Sequence, residues 1–487
     1  MVGGLVAVGW LVLPLARVGA DDHDRVTAAR SVVAPAREAA PSDDGTDTGD
    51  LVLPVVAVGA AGVLTAYTYT RRRRRARTRT TPGGVAPRVV PLAELDRQAQ
   101  QLLVDIDDCV RTSAEELGYV TAQFGGEAVN PYTEALAFAK SELAAAFRLR
   151  LRTVDAVPES DEARRLLEEV VARCTEAGRR LDAEAAGFDQ LRALERNAPT
   201  ALAYAETRFR ELAARTPAAE ATLGELHNRY APSASLPVLG HVEQAKDRLL
   251  FATTHLNQAR QSLDRGDGDR AAAYLRCAEG AVEQAAVLVD GIDRLAGELA
   301  AAEQQLPAAL AAVEAGLAKA RGHLESADVG SPELPGRVAR AESVVAGVGR
   351  PLSAGDPYDP LDALRRVVRA GADFADGIVE HGVLAARSSV AGAADFVGTH
   401  RGAVGSEARA RLAEAERRLA RDLSEAEAAD VLALRARVIA ERDVRAYGHP
   451  LLEGAGVGGA VLGGILLPGG GPASFGGRRT RGRRAVP

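Results

Sequence analysis

Two interleaved heptads constrain the middle of this chain more than any other feature. Val238, Ala245, Ala252 and Ala259 recur every seven residues, and Val242, Leu249, Leu256 and Leu263 do the same four residues behind them. Alternating steps of four and three align all eight side chains along one seam of an α-helix, which must then be covered by a partner helix. The alanines let a neighbouring backbone approach closely, while Lys246, Arg248 and Arg260 fall on other faces.

A second helical stripe runs through Leu92, Leu95, Ala99, Leu102, Ile106, Val110, Leu117, Val120 and Phe124. Residues 92–449 contain no period-two run of β-branched residues bounded by hairpin turns. Aromatics are only 4% of the chain, so Ala, Leu and Val must fill the core, which suits helix-on-helix packing. The fold class that follows is all-α: long antiparallel coiled-coil or helical hairpins over 92–449.

The helix punctuation repeats. Leu263-Asp264-Arg265-Gly266-Asp267 and Leu352-Ser353-Ala354-Gly355-Asp356 lie 89 residues apart. Each reads as a glycine stop followed by an aspartate, Asp267 or Asp356, placed to cap the next helix. Similar helices follow from Ala271 and Pro360, so helix, Gly-Asp turn and helix is a candidate building unit. Breaks near Pro158, Pro199, residues 232–237 and residues 331–335 divide the rest.

The first ninety residues have a different character. Residues 1–20 are signal-peptide-like or a weak anchor, with Val18 and Ala20 fitting a small-residue cleavage site. Residues 21–50 form an acidic linker too polar for a core. Residues 51–69 carry no charge, and at 1.5 Å per residue they reach about 28 Å, close to the thickness of a bilayer's hydrocarbon. They are expected to form a transmembrane helix, with Tyr67 and Tyr69 at the interface and Arg71, Arg72, Arg73, Arg74, Arg75, Arg77 and Arg79 as a cytoplasmic collar on anionic lipid headgroups. Residues 70–91 are the basic juxtamembrane linker. The expected placement is the plasma membrane, single-pass, N-terminus outside and helical region in the cytoplasm. Residues 450–487, glycine-rich, apolar and arginine-ended, are expected to be a disordered tail.

Chemistry is hard to locate. Cys109, Cys174 and Cys277 have no disulfide or zinc spacing and read as small buried hydrophobes. Asp105, Asp107 and Asp108, and Glu115 and Glu116, read as solvated helix faces rather than metal ligands. His241 and His255 share a face but stand about 21 Å apart along the axis. Gly266-Asp267-Gly268-Asp269 lacks the later ligands of a calcium loop. Phosphate-loop, nucleophile-elbow and zinc-protease motifs are missing, so no catalytic, cofactor or metal residue is assigned. A net charge of -6 gives no global basic field; Arg71–Arg79 and Arg478–Arg484 leave nucleic acid as the weakest partner reading.

Four segments carry a family likeness: DLVLPVVAVGAAGVLTAYTYTRRRRRARTRTTP (50–82), ELDRQAQQLLVDIDDCVRTSAEELGYVTAQFG (94–125), HVEQAKDRLLFATTHLNQARQSLDRGD (241–267) and YDPLDALRRVVRAGA (358–372). Together they resemble large TPM-domain membrane proteins of high-GC bacteria. The resemblance implies a signal peptide, an extracytoplasmic TPM domain, one span and a long cytosolic helical region. The residues of a TPM domain are absent between the leader-like start and the expected span, so phosphatase activity linked with some TPM domains does not carry over.

The function expected from sequence is a membrane-anchored helical scaffold, binding protein partners or a second copy through its helices. A truncated TPM-family protein acting as accessory subunit of an enzyme is the alternative.

Overall fold

A computed structural model describes residues 90–155, 160–326, 332–447, 457–467 and 471–484. Every regular element among them is a helix, apart from one isolated antiparallel bridge between Leu466 and Pro472. The all-α class therefore holds. The expected leader, acidic linker, span and arginine collar lie outside the described residues.

The helices, in chain order, are α1 Leu92–Phe124, α2 Asn130–Asp155, α3 Asp161–Arg192, α4 Leu194–Arg229, α5 Pro232–Ser235, α6 His241–Asp264, α7 Gly268–Ser326, α8 Leu334–Ala354, α9 Pro360–Gly371, α10 Ile378–Thr399, α11 Ser406–Arg421, α12 Ala426–Tyr447, α13 Val457–Leu462 and α14 Arg478–Arg484. The spine is α7, whose 59 residues extend roughly 89 Å. Helices α4 and α6 pack along it, and α8, α9 and α10 cover the remainder. Helices α1–α3 enclose a separate core containing Leu103, Ile106, Val170, Leu181 and Phe188. Helices α10–α12 enclose another around Val397, Leu412 and Ala436.

The heptad seam is interior. Val238, Val242, Ala245, Leu249, Ala252, Leu256 and Ala259 are buried, and Leu263 is half-buried. Val238 lies in a 3-10 turn before α6 begins, so the first position of the pattern is off the helix. Both glycine stops also form, with one shared geometry. Gly266 and Gly355 adopt φ of 74° and 72°; the following N–H groups reach back to Ser262 O at 2.8 Å and Pro351 O at 3.0 Å. That is the double closure of a glycine-terminated helix. Asp267 caps α7 through Arg270 N at 3.1 Å. The second turn departs from expectation: Asp359, not Asp356, caps α9, accepting from Asp362 N at 3.0 Å.

Pro199 does not break the chain; it lies inside α4. The break is at Ala193, the one non-glycine residue with positive φ (39°) among the described residues. Proline at 199 removes the N–H that would have met Glu195 O. That carbonyl faces Gly268, where an added Cβ would come within 2.7 Å of it.

Two larger expectations are corrected. Among the described residues no helix is long and apolar enough to cross a membrane. Even α7 meets charge at short intervals, from Glu279 and Glu283 through Asp290, Asp293, Arg294 and Glu298. The single-pass plasma-membrane placement, with its transmembrane and membrane labels, is withdrawn on that finding. The tail, expected to be disordered, is docked. Ala460 and Ile465 join the central core, and Phe475, 1% exposed, joins the core of α1–α3. Its ring stacks on Phe188 at 4.3 Å between centroids and meets Tyr132 edge-on at 5.9 Å. The glycines that weaken a helix here are what admit close packing: a Cβ on Gly477 would collide with the carbonyl of Gly178, and one on Gly463 with the amide of Gln284.

Candidate functional site

A cleft of about 650 Å³ opens where α1, α2, α7, α10 and α11 converge. Two of the acidic residues of α1 that read as solvated in the sequence, Asp107 and Glu115, line it. Asp107 and Glu116 are in fact buried, and all four of Asp107, Asp108, Glu115 and Glu116 are paired with arginines distant in sequence.

Arg409 of α11 is fully enclosed. Its Nη1 donates to Asp107 Oδ2 at 2.5 Å and Asp108 Oδ1 at 2.7 Å, and its Nε donates to Val404 O at 3.0 Å. Its Nη2 donates to the Arg401 carbonyl. Arg111 reaches the same Asp107 oxygen at 2.9 Å. Burial alone would raise the Asp107 pKa, but the attraction of Arg111 and Arg409 outweighs it and holds the carboxyl below its usual range. Arg401, in the α10–α11 connection, makes a two-pronged pair with Glu115 at 2.8 and 3.0 Å.

A second buried group lies deeper. Arg192 closes α3 beside the left-handed Ala193 and bonds both Glu116 of α1 and Glu279 of α7. Burial raises the Glu279 pKa despite Arg192 and adds to the repulsion from Glu116. Tyr119 Oη donates to the Glu279 carbonyl at 3.1 Å. Farther along α7, Gln284 Oε1 accepts from Arg248 of α6 at 2.9 Å, the same guanidinium donates to Thr399 O at 2.9 Å, and the Gln284 amide N–H donates to Gly463 O at 2.7 Å. These linked polar groups tie α1, α3, α6, α7, α11 and the tail. An arginine buried this way is costly unless every partner is present, so the arrangement fixes one register of the helices.

Most charges on the cleft wall are therefore already neutralised. Asp395 accepts from Arg294. Glu283 differs in making no hydrogen bond or ion pair among the described residues; burial raises its pKa, as it does that of Asp395, against the attraction of Arg208. Glu416 stands exposed on α11 at the rim, and Lys140 of α2 faces the same opening.

No group of three potential metal ligands occurs among the described residues. Burial pushes the thiol of Cys109 up to about 11 and those of Cys174 and Cys277 up to about 12, leaving all three protonated at neutral pH. Burial lowers His241 and His400 to about 4, so both are neutral.

Of the residues singled out in the sequence, the seam positions line a core and not the cleft, and Tyr67 through Arg79 lie outside the described residues. The terminal arginines are partly engaged internally. Arg478 pairs with Asp105 at 2.9 Å, and the backbone N–H groups of Arg479 and Thr480 bond Asp182. Sequence reasoning does not reach Arg192, Arg401 and Arg409, because each meets its carboxylates across more than seventy positions of chain. A usable signal was Asp107, which sits between Ile106 and Val110 on the apolar side of α1 and therefore needs a buried cation.

No family model matches the chain, and no solved structure matches it. Two curated proteins do: UPF0603 protein MT2410 and UPF0603 protein Rv2345, from two strains of Mycobacterium tuberculosis. Each is 33% identical over 411 residues, covering 78% of this chain and 62% of the relative. This chain thus spans less than two thirds of the length of the curated relatives it resembles.

Proposed function

We propose that the chain is a helical interaction protein whose cleft receives a cationic segment of a protein partner, with no chemistry of its own. The observation that carries this reading is Glu283, a half-buried carboxylate that lines the 650 Å³ opening without a hydrogen bond or ion pair among the described residues, while Asp107, Glu115 and Asp395 on the same wall are each held by an arginine. A partner's lysine or arginine would restore what burial takes from that carboxylate, and exposed Glu416 extends the same charge to the rim. The rigid ionic layer beneath supports the reading by holding the cleft walls in fixed register. Kinship with TPM-domain proteins is part of the proposal and rests on the four quoted segments.

The test is a photo-crosslinking amino acid at Ala413 on the cleft wall, compared with one at exposed Val379, in cells that naturally make the protein. Adducts from Ala413 should map to basic segments of one partner and fall at least tenfold in Glu283→Gln/Glu416→Gln. Adduct yields equal at the two positions, or unaltered by the double substitution, would overturn the proposal.

A further inference from the structure

Helix α12 presents an apolar stripe to solvent. Val431, Leu434 and Val438 are 50%, 41% and 60% exposed, so they account for three of the large hydrophobic side chains left uncovered. At 100° per residue they fall, with exposed Glu427, Arg442 and Arg445, within an arc of about 80°. Helices α10 and α11 cover the opposite face, where Ala429, Ala433, Ala436 and Ala440 are buried.

The order of residues along this stripe is symmetric. Val431 and Val438 lie equally far from the point midway between Leu434 and Arg435, and so do Glu427 and Arg442. A two-fold axis through that point, perpendicular to the helix, sets Val431 against the Val438 position of a second copy and Glu427 against its Arg442. Leu434, 100° around the helix from Arg435, lies beside the Leu434 of the second copy at the axis. An isologous contact needs such self-complementarity, and both the apolar and the charged positions satisfy it. Any other single partner has to match the stripe by chance. Glu427 also bonds Arg369 at 2.8 Å, both half-exposed, which orients its carboxylate without burying it.

A groove of about 260 Å³ adjoins the proposed axis, with Leu434 on one side and the exposed Leu236-Pro237 turn on the other. It offers apolar surface into which the facing copy can settle.

We infer that α12 is the contact surface of a homodimer, formed by antiparallel pairing of two α12 helices about Leu434. The facing segment, Glu427 to Arg442, is about 22 Å long. Its apolar centre is small beside the roughly 1,600 Å² of a standard interface, so the dimer is weak and reversible. This surface is separate from the cleft.

The experiment is analytical ultracentrifugation of the full chain from about 1 to 300 µM, the range in which a weak, reversible contact is populated. Weight-average mass should rise toward twice the chain mass, and Val438→Asp should weaken association at least tenfold. Glu427→Arg and Arg442→Glu should each weaken it as well, since each sets like charges face to face. A mixture of those two variants should associate more tightly than either alone, because both pairs are then opposite in sign. Circular dichroism melting checks that all variants remain folded. Glu283→Gln should leave association unaltered, which separates this contact from the cleft. A monomer throughout the range, no effect of Val438→Asp, or a mixture no tighter than its components would each overturn the assignment.

Discussion

Replacing Phe475 by alanine tests whether the glycine-rich tail is a structural part of the bundle. The ring is 1% exposed, stacks on Phe188 with an interplanar angle of 12° and meets Tyr132 edge-on. Removing a buried phenylalanine ring costs about 3–5 kcal/mol when the space cannot refill, including some 0.5–1.5 kcal/mol for aromatic pairing. The global loss is smaller, because the tail can lift away while α1–α12 stay folded. The loss is therefore limited by the docking free energy of residues 457–484. Even 3 kcal/mol raises the open population about 100-fold. Amide exchange is the direct assay. Ala473 N–H, held by Ile465 O at 3.1 Å, and Thr480 N–H, held by Asp182 at 3.0 Å, should both lose about two orders of magnitude of protection. Amides in the middle of α7 should keep theirs. Phe475→Leu should show a much smaller effect. Unaltered exchange at Ala473 and Thr480 in Phe475→Ala would refute the claim that this ring anchors the tail.

Three further outcomes are expected. Arg409→Met should destabilise the fold by about 3–5 kcal/mol in urea unfolding, because Asp107 and Asp108 lose their buried cation, and adding Asp107→Asn and Asp108→Asn should recover part of the loss. Thermal stability should fall as pH drops from about 6.5 to about 4: His241 and His400 are depressed in the folded state, so the stability from keeping them neutral is present above the unfolded value of 6.5 and is lost as pH falls through the folded value of about 4. His241→Gln with His400→Gln should flatten the melting profile across that window. Gly477→Ala should expose the tail to protease because its Cβ meets a backbone carbonyl, whereas Gly178→Ala meets only the movable Ile106 Cδ1 at 2.9 Å and should be tolerated.

Which features the sequence revealed follows from the range of the forces involved. The seam from Val242 to Ala259 was legible because helix periodicity is local, and the Gly266 and Gly355 stops because a left-handed residue is encoded in one position. Pro199 misled because it removes a single intrahelical N–H, the one that would have met Glu195 O, while the burial of Ala198, Ala201, Leu202 and Ala205 on either side keeps α4 continuous. The cleft was illegible because its wall joins residues about 300 positions apart, as in Arg409 with Asp107. Periodicity assigns Asp107 to a face of α1 but does not say which arginine arrives there. The tail was misread for a related reason. Glycine density removes local helix preference, and that same density is what allows backbone to lie against backbone once a surface exists to receive it.

The position of Phe475 has a consequence for synthesis. Its partner Phe188 is made 287 residues earlier, so the core of α1–α3 remains without one of its rings until residue 475 has been translated. At roughly 5–20 residues per second that interval is about 15 to 60 s. During it the first three helices must survive with a ring-sized opening facing the solvent, beside a nascent chain that is still incomplete. A segment made late thus completes a core begun almost three hundred residues earlier, and a chain stopped before residue 475 leaves that core one ring short.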